Sequence, residues 1–452
     1  MRKTIASIIL LVSLIASAQE QKTNFSLNEA IAHALEHNYS VINANRDIVD
    51  AQKQKWQTIA TGLPQISGAV SYQNQIIQPI NQFPSILVPE EFLPPGTVQG
   101  PDTFIPIVFG PPQTATATAT LKQQIFDGSY IVGVQATKAF LSFSQNNKEK
   151  TDLEIRKAVV EAYGNVLLAK ESVAIFEKNK TTLEKNLYET TKVFENGLGD
   201  EESVDQLQIT LSSIDNQLKN AVRLEKITLQ MLNLIMGIAI EAPTQLTDDL
   251  NTLTQDKIDL QAIGTPFNIE NNTDYKLALN LNEQRFYELK LEKSRALPTL
   301  NAFVNYGGSS FSDSFNFLSS GQQWFEQSVL GFDLSIPIFS SLGRSAATQR
   351  AKIALEKAKT QLTEAEQQIT LQLERAKSDY VFAIEEYETS KQNLELAERI
   401  ENKNQIKYTE GLATSFELRQ AQTQLYTSQQ EFLQSMVNVI NRKTDLEIII
   451  NQ

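Results

Sequence analysis

Leu63-Pro-Gln-Ile-Ser-Gly-Ala-Val-Ser-Tyr72 is answered much later in the chain by Leu297-Pro-Thr-Leu-Asn-Ala-Phe-Val-Asn-Tyr306. In the first copy Ile66, Gly68, Val70 and Tyr72 fall on one side, and Ser67, Ala69, Ser71 and Gln73 on the other. The second copy keeps the register, with Leu300, Ala302, Val304 and Tyr306 opposite Asn301 and Asn305. A period of two with one apolar and one polar face predicts a strand. It is also the pattern of a membrane barrel, with lipid outside and water within.

The duplication extends outward from this segment. Each copy begins with a helix, the first expected over Leu27 to Thr61 with Ser26 as its N-cap. Pro64 and Pro298 end the helical geometry and admit the first strands, near residues 65–75 and 298–307. A loop follows each. The first, Gln73 to Gln113, carries nine of the fourteen prolines, which excludes helix, and its aromatics Phe83, Phe92, Phe104 and Phe109 suggest an ordered cap. The second, Gly307 to Gln327, is shorter and rich in Gly and Ser. The second strands are expected near 114–125, through Thr114-Ala-Thr-Ala-Thr-Ala-Thr-Leu121, and near 328–338, with Leu330, Phe332, Leu334, Ile336 and Ile338 on one face. Turns at Gly128 and Gly343 then lead into very long helices, about Tyr130 to Glu195 and Ser345 to Glu410. Each would measure about 100 Å at 1.5 Å per residue.

In the second long helix Leu355, Leu362, Ile369, Ala376 and Ala383 recur every seven residues, as do Leu373, Tyr380, Tyr387 and Leu394. Two such stripes imply packing against neighbours on both sides. Phe194-Glu-Asn-Gly-Leu-Gly199 and Tyr408-Thr-Glu-Gly-Leu-Ala413 close the two long helices at Gly197 and Gly411, as helix C-termini prefer. Return helices run to about Met236 and Ile450. The organisation is therefore repeat 1 over 19–240, a mixed polar segment over 241–273, and repeat 2 over 274–452.

Residues 1–18 read as a signal peptide, with Arg2 and Lys3, an apolar stretch from Ile5 to Ile15, and Ala16-Ser17-Ala18 at the cleavage site. The chain carries a net charge of −13 and no cysteine. Such acidity disfavours nucleic acid, and the missing thiols exclude disulfides and cysteine chemistry. No later apolar run approaches the roughly 20 residues of a membrane helix, so entry into a membrane would have to be by strands.

Four such strands cannot stand alone in lipid, because an open sheet leaves edge backbone groups unpaired, and bacterial barrels need about eight strands or more. Three chains giving twelve strands is one solution. These features resemble the outer membrane efflux proteins, the TolC family of channel-tunnels. The resemblance rests on Leu63-Pro64 and Leu297-Pro298, on Ile125-Phe-Asp-Gly128 and Ile338-Phe339 through Gly343, and on the tip pairs Gly197-Leu198 and Gly411-Leu412. It implies a mainly α protein with membrane β: a homotrimer whose 12-stranded barrel lies in the outer membrane and continues into a periplasmic α-helical tunnel. It also implies passive export of small molecules or polypeptides in a tripartite efflux or type I secretion system. The implied partners are outer-membrane lipid, a periplasmic adaptor docked at the four tip residues, and an inner-membrane pump. Neither enzymatic activity nor a cofactor is expected.

The family's periplasmic constriction, carried to this sequence, falls on Glu417 and Gln420. Only the first is acidic; three copies of it would attract cations. Its ordinary reading is a solvated helical glutamate. Asp200, Glu201, Glu202 and Asp205 cluster at the other tip and read either as an electrostatic entrance or as a solvated face. His33-Ala-Leu-Glu-His37 matches a zinc-peptidase pattern, yet these are the only histidines, and two surface histidines are the plainer reading. Trp324 suits a membrane interface. The alternative function, from another class, is an elongated coiled-coil structural or adhesive protein of the periplasm or cell surface.

Overall fold

A computed structural model describes residues 23–451 apart from residue 265. The expected signal peptide, 1–18, lies outside the described residues. The chain forms two compact units. Each is assembled from pieces of both sequence repeats, so the unit of duplication is not the unit of packing. One takes in the described residues up to Ala51 together with Phe140–Glu283 and Glu356 onward; the other is Gln52–Ala139 with Gln284–Leu355.

The first unit is helical. A two-residue strand, β1 (Asn24–Phe25), leads into α1 (Leu27–His37), where Ser26 and Glu29 form a full capping box. The helix expected to reach Thr61 is broken at Asn38, and α2 (Tyr39–Ala60) begins after it. Asn38 is extended, at ψ 136°. Its side chain accepts from Ser40 N–H at 2.7 Å and donates to Ile235 O at 2.8 Å. The break therefore exchanges one helical turn for a long-range tether, which sequence periodicity does not register.

The two long helices are α3 (Gly128–Glu195) and α7 (Gly343–Thr409), with return helices α4 (Glu201–Met236) and α8 (Ser415–Ile450). Of the two stripes on α7, Leu355, Ile369, Leu373, Ala376, Tyr380, Ala383 and Tyr387 are buried. The main core gathers Val159, Tyr163 and Val166 of α3 with Tyr380 and Tyr387 of α7 and Leu433, Met436 and Ile440 of α8. Over this core lies the inter-repeat segment, with β6 (Gln245–Leu246), which pairs parallel to β1, and α5 (Leu250–Lys257).

Two buried tyrosines, one from each long helix, fasten that segment. The Tyr163 hydroxyl lies 3.0 Å from Phe25 O and 3.1 Å from Asp248 Oδ2, and accepts from Asp248 N–H at 3.3 Å. The Tyr380 hydroxyl donates to Lys257 O at 2.6 Å and accepts from Asp259 N–H at 2.8 Å. Burial pushes both phenols above the usual range.

The second unit is built on four antiparallel strands, β2 (Gln65–Asn74), β5 (Gln113–Asp127), β7 (Thr299–Ser312) and β8 (Phe325–Ser335), in the order β2-β5-β7-β8. The helix α6 (Thr273–Ser294) leads into β7. Between β2 and β5 the proline-rich loop folds into its own antiparallel pair, β3 (Asn81–Pro84) with β4 (Phe104–Ile107). Two boundaries differ from expectation. β7 continues through Gly307 and Gly308 to Ser312 because β5 keeps pairing with it as far as Gln113↔Ser312. β8 stops at Ser335, ahead of Pro337, so Ile336 and Ile338 lie beyond the strand.

The strand-to-helix transitions also differ from simple glycine turns. At Gly128 a Cβ would lie 2.6 Å from Leu297 Cδ1, so this glycine serves close packing, and Asp127 caps α3 by accepting from Ser129 N–H at 2.7 Å. Before α7 the left-handed residues are Ser341 and Leu342, at φ 47° and 64°, while Gly343 opens the helix. Arg344 steadies this turn by donating to Pro337 O at 3.0 Å.

Candidate functional site

Directly paired residues of a sheet share a face, so the observed register sorts all four strands at once. On one face lie the rows Phe126-Leu300-Leu334, Ile66-Leu121-Val304-Leu330, Gly68-Ala119-Tyr306-Ser328 and Val70-Ala117-Gly308-Glu326. Val70 is 83% exposed although it belongs to an apolar face. From the Leu300 row to the Ser310 row is ten steps of about 3.4 Å, which at a tilt of about 40° rises about 26 Å, against about 25 Å for the lipid-facing band of a barrel. Tyr72 and Trp324 stand at the end of this face remote from the helices, where an aromatic girdle belongs, and Tyr306 lies two rows nearer its middle. Phe315 and Phe317 pack edge-on against Tyr72, at 5.3 and 5.8 Å.

The opposite face carries Ser67, Ser71, Thr114, Thr116, Thr118, Thr120, Asn301, Asn305, Gln327 and Asp333. Phe303, Phe311, Phe325 and Val329 interrupt it, and Phe303 lies across Gly331, where a Cβ would come within 2.3 Å of the ring. The sheet does not close on itself: β2 and β8 are both edges. No helix of the described residues is long and apolar enough to cross a membrane.

The two helical tips are built alike. Gly197 and Gly411 adopt φ +74° and +72°. Leu198 N–H donates to Val193 O at 3.1 Å and Leu412 N–H to Lys407 O at 2.7 Å, while each glycine N–H reaches back three residues. This is the Schellman closure, in which a left-handed residue satisfies the last helical carbonyls, and it leaves Leu198 and Leu412 prominently exposed. Asp200 then caps α4, accepting from Ser203 N–H at 2.7 Å, and those bonds hold its carboxyl below the usual carboxylate range.

Glu417 has a local role of the same kind. Its carboxylate accepts from Thr414 N–H at 2.8 Å and Thr414 Oγ1 at 3.0 Å, completing a capping box at the start of α8. These bonds lower its pKa. Gln420, three residues on, is exposed. A helix-capping explanation therefore accounts for Glu417 independently of any pore.

Sequence reading missed the contacts that join the two hairpins close to these tips. Ser203 Oγ meets Ser415 Oγ at 3.0 Å, Thr190 Oγ1 meets Tyr408 OH at 2.8 Å, and the Asn186 and Gln405 amides pair at 2.9 and 3.0 Å. Asn179 donates to Gln429 at 2.9 Å. Glu401 lies in the same region; burial pushes its carboxyl above the usual range, partly offset by Gln422 and Lys178. Amides and hydroxyls at these positions look like solvated helix surface until the partner helix is known.

His33 and His37 stack at 4.1 Å, and each spends its Nδ1–H on a carbonyl, Met236 O at 3.0 Å and His33 O at 3.1 Å. His33 and Asn38 thereby fill carbonyls left open at the end of α4, whereas His37 bonds within α1. No metal-holding group of three His, Cys, Asp or Glu residues occurs among the described residues.

Residues 269–452 match the outer membrane efflux protein family. That match covers 184 of the 452 residues, all in the second half of the chain. No curated protein matches the chain by sequence. Among solved structures it is similar to the outer membrane protein VceC of Vibrio cholerae, at 17% identity and TM-score 0.70, covering 94% of this chain and 95% of that one. The Campylobacter jejuni CmeC outer membrane channel gives 16% and 0.72, with 96% and 90% covered. The open state of the Neisseria gonorrhoeae MtrE outer membrane channel gives 15% and 0.71, with 94% and 88% covered. At these identities the likeness is one of fold, and it is the efflux-protein fold along nearly the whole chain.

Proposed function

We propose that this protein is the outer-membrane exit duct of a tripartite efflux or type I secretion system. The observation that carries the reading is the four-stranded sheet, with an apolar face of membrane height, a hydroxyl- and amide-rich opposite face, and two unpaired edges. In lipid those edges demand partners. Joining β2 of one copy to β8 of the next, three times over, closes a twelve-stranded barrel around the polar face. The helices serve as the periplasmic tunnel, Leu198 and Leu412 with their glycines as adaptor-docking tips, and Glu417 and Gln420 as constriction residues. The duct is passive and performs no chemistry; a pump in the inner membrane supplies both cargo and energy. A fibre or adhesin would have no use for a lipid-type face on all four strands.

The test is single-channel recording of detergent-extracted protein in planar bilayers, alongside a measurement of its oligomeric mass. A trimer with discrete conductance steps is expected. A stable monomer, or an inserted trimer that never conducts, would overturn the reading.

A further inference from the structure

The segment between β2 and β5 is larger and more apolar on its outside than a strand connection requires. It is ordered: Ser85 is fully buried, bonded to Thr103 O at 2.7 Å through its N–H and to Gly100 through its hydroxyl, and Gln78 donates to Gly110 O at 2.8 Å. Yet Ile76 is 93% exposed, and Ile77, Leu87, Phe92, Val98 and Phe109 are also bare. Six large apolar side chains left bare on one ordered lobe point to an interaction surface. Residues 75–112 contain Glu90, Glu91 and Asp102 but no Lys, Arg or His.

Two observations select what covers this surface. The lobe rises beyond Tyr72, past the end of the apolar face, so lipid tails lie below it; the phosphate-bearing head groups at its own level would meet three carboxylates and no cation. It also springs from β2, an edge strand, beside the seam at which another copy must join. Size then decides the geometry. Twelve strands about 4.8 Å apart and tilted about 40° make a rim of about 75 Å. A compact lobe of this length is about 22 Å across from its expected radius of gyration, so three of them fill about 66 Å of that rim.

We infer that the 75–112 lobes of three copies pack against one another through their bare apolar residues and roof the outer mouth of the duct. The inference rests on the trimeric duct proposed above. Pro84 in β3 and Pro106 in β4 each remove a ladder donor from the lobe's short strands, which disfavours their extension into another copy, so the contact is one of side chains, able to part without unravelling a sheet.

The natural chain has no cysteine, so Ile77→Cys, Leu87→Cys, Phe92→Cys and Val98→Cys each introduce a single thiol. Oxidation, or a short bis-maleimide, applied to the dilute purified full-length trimer should yield a covalent dimer at one or more of these positions, independent of protein concentration. Replacing residues 78–109 by a short Gly-Ser linker should raise single-channel conductance severalfold, since the narrowest outer section is removed. No cross-link at any position, or labelling of these thiols only by a lipid-soluble reagent, would overturn the roof even if the shortened chain failed to fold. Equal conductance of both forms would overturn it while leaving the duct intact. Silence from both forms would instead sink the duct, and the roof with it.

Discussion

Tyr380→Phe isolates one hydroxyl in a ring that stays where it is. Tyr380 is 0% exposed, so the aromatic packing against Lys443, whose ammonium lies 5.5 Å from the ring centre, is retained. What is lost is the acceptor for Asp259 N–H and the donor to Lys257 O. Leaving a part-buried backbone donor and acceptor unpaired costs about 2 kcal/mol, which is about a 30-fold increase in the local opening constant. Hydrogen–deuterium exchange of the trimer should therefore speed up about 30-fold in peptides spanning 257–261 and remain unchanged at the tips. Tyr163→Phe should act on 246–250, somewhat less strongly because Asp248 Oδ2 keeps Leu27 N–H at 2.7 Å. Unchanged exchange at 257–261 in an intact trimer would refute the idea that these hydroxyls pin the inter-repeat segment. So would an equal acceleration everywhere, because the bond would then be part of the global fold and not a local fastener.

Other expectations concern the tips and the sheet. Glu417→Gln keeps a capping side chain but removes its charge, whereas Glu417→Ala removes both. If three Glu417 carboxylates set cation preference, both variants lose it in bilayer recordings; if the residue only caps α8, the Gln variant conducts like the natural protein. Glu401 has a raised pKa in the folded state, so the native form holds more protons than the unfolded chain just above pH 4.5, and stability falls as pH rises through that window. Glu401→Gln should therefore raise the melting temperature of the helical unit at pH 7.5, and the gain should vanish at pH 4. Gly331→Ala would press a methyl into the Phe303 ring, an overpacking cost of about 1–3 kcal/mol, seen as a lower temperature for the heat-modified shift in gel migration; pairing it with Phe303→Ala should restore most of the loss.

Much of this molecule is written in local pattern. Alternation in Leu63–Tyr72 and its echo predicts strands because successive strand side chains point to opposite sides. The capping box at Ser26, the tip glycines and the unbroken helical stretches follow from equally local stereochemistry. The phase of that alternation also makes the two-faced character of each strand readable in advance. Tertiary structure decided what depends on a partner distant in sequence. Asn38 breaks a helix because Ile235 O is there to receive it. β7 outruns its glycines because β5 continues beside it. Asn186, Thr190 and Asn179 become contacts only when a second hairpin supplies Gln405, Tyr408 and Gln429, and the compact units recombine both repeats. Local propensity is a property of a few neighbouring residues, and so belongs to the sequence. Hydrogen-bond satisfaction and close packing are properties of pairs, and which pairs meet is known only once the chain has folded.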